Sequence, residues 1–123
     1  MAELKEFTVE RSGKRALRFK GEVLASVRSK EDRGRWQEIG IYRVGEPGSG
    51  RYVAEIVERT NWQGEQDSHE AYICNSPEEV LEVLTESDPE YEGETFISNL
   101  VKEAIEEAAK TELAFKDLLV EDI

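Results

Sequence analysis

Residues 75–86, "NSPEEVLEVLTE", are the point at which the chain changes from strand periodicity to helical periodicity. Ser76 is a typical N-cap, Pro77 suits the first helical position, and Glu79 lies at the capping-box spacing, three residues after the cap. The apolar residues recur at helical intervals and form one face: Val80, Leu81 and Leu84. We therefore predict a helix from residue 77 to about residue 86, preceded by strands and followed by helical structure.

Four segments before this helix have strand patterns, and they are 15–30, 35–44, 51–62 and 69–74. In the first, apolar and polar side chains alternate, and the alternation predicts one buried face: Leu17, Phe19, Val23, Ala25 and Val27. Gly21 falls in this apolar register, which indicates a bulge or a close approach by another element. The connecting turns are about six residues long, too short for parallel crossovers, so we predict an antiparallel meander.

Residues 95–120 carry a longer helical pattern, with this apolar stripe: Ile97, Val101, Ala104, Ile105, Ala108, Phe115 and Leu119. A continuous helix of this length would span roughly 39 Å, more than the sheet can cover. The helix is therefore expected either to break near residues 110–112 or to project beyond the sheet. Glu112 lies in the apolar stripe and favours a break or an exposed end. An acidic loop is predicted at residues 87–94, between the two helices.

These elements predict an α+β fold: a four-stranded antiparallel β-meander followed by two C-terminal helices packed on one face of the sheet. We expect a single domain over residues 1–123, because a chain of this length supports one hydrophobic core. It comprises an N-terminal arm (1–14) that can supply an edge strand, the meander (15–74) and an acidic helical part (76–123). The predicted core consists of Leu17, Phe19, Val23, Ile39, Ile41, Ile56, Leu81, Leu84, Ile97, Val101 and Ile105.

The net charge of −12 is distributed very unevenly along the chain. Residues 1–75 contain 13 basic and 13 acidic side chains, whereas residues 76–123 contain three lysines and 15 acids, which accounts for the whole excess. Phosphates would be repelled by the second half, so this charge disfavours nucleic acid or a membrane surface as its partner. No apolar run reaches the roughly 18 residues of a membrane span, and no signal-peptide pattern is present. We expect a cytoplasmic protein.

The hairpin at residues 61–74 contains the sole histidine and the sole cysteine of the chain, His69 and Cys74, beside several acids. Successive strand residues point to opposite faces, so these side chains cannot all converge on one ion. Asp67 and His69 share a face if the strand already begins at residue 67, but two ligands make a weak site. Cys74 lies five positions after His69, on the opposite face of an ideal strand, which disfavours a nucleophile and base pair. Phosphate-loop, dinucleotide and hydrolase motifs are lacking. We predict no catalytic residues, no metal, no cofactor and no enzyme activity.

Protein interaction is the function that the sequence favours. The acidic, amphipathic C-terminal half is expected to bind a protein partner, either a second copy in a homodimer or a basic protein. An exposed "LAFKDLL" (113–119) would require such a partner to cover its apolar side chains. The predicted partner-binding residues are Glu103, Glu106, Glu107, Leu113, Phe115, Leu118 and Leu119.

Two alternatives involve nucleic acids. In the first, arginines and aromatic side chains on an exposed sheet face bind single strands by stacking and phosphate contacts, with Arg18, Arg43, Arg59 and Trp62 as candidates. The zero net charge of this half favours ordinary cross-strand ion pairs instead. In the second, the acidic half imitates a phosphate backbone and occupies the basic groove of a nucleic-acid-binding protein, as an inhibitor would.

Overall fold

The computed structural model describes residues 4–87, 97–120 and 122–123. These residues form five strands, two α-helices and a short 3₁₀ turn. The strands are β1 (Lys5–Arg11), β2 (Lys14–Arg28), β3 (Arg35–Val44), β4 (Tyr52–Thr60) and β5 (Ser68–Cys74). The helices are α1 (Pro77–Glu86) and α2 (Asn99–Thr111), and the 3₁₀ turn covers Leu113–Phe115. The α+β class is confirmed.

The strands form one antiparallel sheet in sequence order, but it has five strands rather than the predicted four. The fifth is β1, which lies within the arm expected to supply an edge strand; Phe7 pairs with Phe19 and Val9 with Leu17. The sheet curls into a half-barrel, so that β1 approaches β5. At one end of this approach the Ser12 backbone N–H donates to the His69 carbonyl at 2.8 Å.

A bulge in β2 changes the face on which its side chains lie. Val23 pairs with Tyr42 and Ala25 pairs with Ile41, which leaves Leu24 without an opposite residue. The prediction that all the apolar residues of β2 share one face was therefore wrong. Val23 is 41% exposed instead of belonging to the core, whereas Leu24 is buried. Strict alternation fails here because one inserted residue shifts the period-2 pattern to the other face.

Gly21 allows two strands to approach closely. A Cβ atom at this position would lie 1.8 Å from the carbonyl oxygen of Arg43 on β3. No other residue type fits that space, so the expectation that Gly21 marks a close approach is confirmed.

The two helices pack on one face of the sheet, called here the helix face, and form the main core with it. Of the predicted core residues, six are fully buried in this cluster: Ile39, Ile41, Ile56, Leu84, Val101 and Ile105. Leu81 and Ile97 are partly buried against it. The opposite face has a smaller cluster around Val9, Val53 and Ala71, against which Leu17 and Phe19 pack. The curl of the sheet thus produces two apolar clusters from one predicted core.

The start of α1 has the predicted cap. The Glu79 backbone N–H donates to Ser76 Oγ at 3.1 Å, and the Glu79 carboxylate accepts from the Asn75 backbone N–H at 2.8 Å. Pro77 is the first helical residue and the helix ends at Glu86, as predicted.

The second helix breaks where the sequence indicated. It begins at Asn99 rather than at residue 95, is capped by Ser98, and ends at Thr111. The 3₁₀ turn then returns the chain to the sheet, so that Phe115 lies against Tyr52 with 5.0 Å between ring centroids. The predicted acidic loop, apart from residue 87, lies outside the described residues. So do the first two residues of the predicted second helix.

Candidate functional site

Two arginines of the sheet, Arg35 and Arg59, pair with neighbouring carboxylates. Arg59 bonds both Glu38, at 3.1 Å, and Asp67, at 3.0 Å. The Arg59 guanidinium and the Thr60 backbone N–H hold the pKa of Asp67 below its usual value, and the two carboxylates raise the pKa of Arg59. Arg35 pairs with Glu65 in the same way. These two arginines are therefore compensated locally, within a half of the chain whose net charge is zero.

Arg43 has a structural position. It is only 3% exposed, and its guanidinium bonds Glu22 at 2.8 Å and lies 3.9 Å from Glu112. The Tyr52 hydroxyl also donates to Glu112, at 3.2 Å. Burial, together with the negative charge of Glu112, raises the pKa of Tyr52. This network joins the residue that follows α2 to the sheet.

The nucleic-acid face proposed from the sequence is not assembled. Arg18 is exposed, but Arg43 is buried beneath the C-terminal segment. Arg43 lies on the helix face with Tyr52, whereas Arg59 lies with Glu38 on the opposite face. Trp62 is 53% exposed, beyond the end of β4, where its ring N–H donates to the Arg33 carbonyl at 2.6 Å. The four candidates therefore do not form one surface.

The hairpin residues also have local partners. Asp67 pairs with Arg59, and His69 Nε2 lies 3.6 Å from a carboxylate oxygen of Glu10. Cys74 is buried, and burial with the nearby charges of Glu79 and Glu82 raises its pKa to about 11. Its thiol is thus protonated at neutral pH and is a poor nucleophile. Within the described ranges, no three acidic, histidine or cysteine side chains are grouped to hold a metal.

The predicted acidic residues of α2 are at the surface. Glu103, Glu106 and Glu107 are exposed, on the side of the helix opposite Val101, Ala104, Ile105 and Ala108. Glu107 pairs with Lys110 at 2.9 Å. On α1, Glu78, Glu82 and Glu86 are likewise exposed. We call the six exposed glutamates of the two helices the acidic helical layer.

The apolar residues predicted to bind a partner are divided by the structure. Leu113 is 76% exposed, but Phe115 is 1% exposed and belongs to the main core, so its assignment to a partner surface was wrong. Leu118 and Leu119 are partly buried against the same core. The reason is the break after α2: the 3₁₀ turn folds the apolar end onto its own sheet.

A groove separates α1 from the C-terminal segment. It has a volume of about 320 Å³ and is lined by Glu78, Leu81, Glu82, Thr85, Glu86, Ile97 and Leu118. The carboxylates of α1 thus border the same space as three apolar side chains, Leu81, Ile97 and Leu118.

Neither helix within the described ranges is long and apolar enough to cross a membrane. Comparison with family models, curated proteins and solved structures finds no match to this chain.

The groove was missed by the sequence reasoning, because Leu118 reaches α1 only after the chain has folded back at Glu112. One signal was present: three glutamates of α1 recur every four residues, which places them on one side of the helix. The predicted capping role explains only the glutamates at the start of the helix, and it does not explain this row.

Proposed function

We propose that this protein is a non-enzymatic interaction module whose acidic helical layer binds a basic region of a partner protein. One observation carries the proposal: the two helices expose six glutamates on their outer side, whereas acidic and basic residues balance in number over residues 1–75, where Arg35, Arg43 and Arg59 pair with carboxylates. Charge arranged in this way produces a one-sided negative field that attracts basic partners and orients their approach.

Burial of Phe115 changes the argument for self-association. The homodimer was predicted because an uncovered apolar end needed a partner, and the structure leaves Leu113 as its exposed remnant. A basic partner is therefore the proposal that retains the stronger support, and the homodimer stays a prediction that light scattering tests.

The experiment compares two triple variants that have the same net charge. In one, Glu103, Glu106 and Glu107 are changed to glutamine. In the matched control, three exposed acids outside the helices are changed to glutamine: Glu6 on β1, Glu46 in the turn between β3 and β4, and Glu58 on β4. The wild-type protein and both variants are used as baits in a lysate of the source organism, at low and at high salt.

We expect the wild type and the control to retain the same basic proteins at low salt, and to release them at high salt because the attraction is screened. The α2 variant should retain much less of them. Equal retention by the two variants would contradict the proposal, because net charge alone, and not the acidic helical layer, would then determine binding.

A further inference from the structure

The groove between α1 and the C-terminal segment combines an apolar lining with a row of carboxylates. Its apolar lining comes from three parts of the chain: Leu81, Ile97 and Leu118. Its acidic side is the row Glu78, Glu82 and Glu86, spaced about 6 Å apart along the helix axis at 1.5 Å per residue. An occupant that matches this lining has an apolar group beside positive charges.

Thr85 provides a second and independent indication of an occupant. It lines the groove and is 7% exposed, and its hydroxyl oxygen makes no hydrogen bond within the described part of the chain. Buried hydroxyl groups are normally satisfied, since an unmet one is destabilising. The oxygen itself is enclosed, so an ammonium or guanidinium group in the groove donates to it only after the threonine side chain rotates.

We propose that the groove binds a basic peptide segment of a partner protein, which inserts an apolar side chain toward Leu81 and Leu118 and pairs lysines or arginines with the α1 glutamates. This inference rests on the proposed function and places one part of its recognition site, the α1 glutamates of the acidic helical layer, at the groove. The volume of about 320 Å³ is at the lower limit of small-ligand pockets, which begin at about 300 Å³, so the groove suits one or two side chains.

Charge selects the peptide over other occupants. Carboxylate or phosphate ligands would be repelled by Glu82 and Glu86, and a purely apolar ligand would leave these carboxylates without partners. Long basic side chains satisfy both parts of the lining, because their methylene stems lie along apolar surface while the charged end stays near the carboxylates.

The test uses a fluorescent 12-residue peptide of leucine and lysine with one apolar face, titrated by anisotropy against the full chain. Two further peptides replace either the leucines by serine or the lysines by glutamate. We expect the leucine and lysine peptide to bind, and both other peptides to bind at least fivefold more weakly. Equal binding of the serine peptide would overturn the proposal in favour of unspecific charge attraction, and equal binding of the glutamate peptide would overturn it in favour of an apolar ligand.

Two double variants then locate the site. Changing Glu82 and Glu86 to glutamine should weaken peptide binding by roughly fivefold to tenfold, as expected for two exposed ion pairs. The same change at Glu6, on β1, and Glu46, in the turn between β3 and β4, should alter it less than twofold. If the groove variant binds normally while the α2 triple variant loses binding, the groove is wrong and the proposed function stands. If every variant binds normally, both fail.

Thr85 is tested by a matched pair of substitutions. Thr85→Val keeps the shape and removes the hydroxyl, whereas Thr85→Ser keeps the hydroxyl. We expect Thr85→Val to bind the peptide about threefold more weakly and Thr85→Ser to bind it as the wild type does, with urea unfolding showing that both are folded. Wild-type affinity in Thr85→Val would refute the role of this hydroxyl in the proposed site.

Discussion

Replacing Phe115 by alanine tests whether the C-terminal segment belongs to the core. The ring is 1% exposed and packs edge-on against Tyr52, so its removal loses both apolar burial and an aromatic pair. Phe→Ala in a core costs about 3–5 kcal/mol. Because Phe115 lies in a short 3₁₀ turn that can partly collapse into the space, we expect about 3 kcal/mol.

That loss is large against the roughly 6–18 kcal/mol expected for a domain of this size. Urea unfolding followed by tryptophan fluorescence should show a midpoint lower by about 1.5 M, for a slope near 2 kcal/mol per M. Thermal unfolding should show the same loss of stability, as a melting temperature lower by roughly 10 °C.

The control is Leu113→Ala, two residues earlier in the same turn. Leu113 is 76% exposed, so its truncation should change the unfolding free energy by less than about 0.5 kcal/mol. If the two variants unfold at the same urea concentration, the reasoning is refuted: the segment would then be detached from the sheet, and its apolar side chains would again be available to a partner.

Three further perturbations probe the fold. Gly21→Ala places a Cβ atom 1.8 Å from the Arg43 carbonyl oxygen and should cost at least about 2 kcal/mol in urea unfolding; wild-type stability would show that the strands separate easily. Ser76→Ala removes the N-cap of α1 and should cost about 1 kcal/mol, whereas an unchanged midpoint would deny the cap its role. Burial and Glu55 raise the pKa of Tyr42, so its contribution to stability is full below the ordinary value of about 10 and is lost as pH rises above it. Tyr42→Phe should therefore reduce the loss of stability measured between pH 9 and pH 11, and an equal loss would contradict this assignment.

The helical half was predictable to within a few residues because its signals are local. The cap at Ser76 and the spacing of the α1 apolar residues define the first helix without reference to the rest of the chain. The break after α2 was also indicated locally, by Glu112 in the apolar stripe. The pattern does not predict the direction of the chain after the break. That direction depends on the aromatic contact between Phe115 and Tyr52, which lies 63 positions earlier in the chain.

The sheet was predicted less well because two of its features are set by pairing between strands. A bulge at Leu24 is invisible to an alternation count, since it is defined by which residues of β3 lie opposite. The short arm before β2 becomes a strand only because it has Phe19 and Leu17 to pair with. The candidate groove likewise depends on tertiary structure: Leu118 and α1 meet only when the chain folds back.

Arg43 makes an electrostatic contact between the sheet half and the acidic half of the chain. Glu112 is the acid of the helical half that approaches this buried guanidinium, and it is mostly buried there. On the sheet, Arg35 and Arg59 pair with carboxylates of the first half of the chain, Arg35 with Glu65 and Arg59 with Glu38 and Asp67. Folding therefore neutralises little of the negative charge of the helices. The cations that compensate this negative charge come from solvent ions or from a partner. This is the physical reason to expect a basic partner protein.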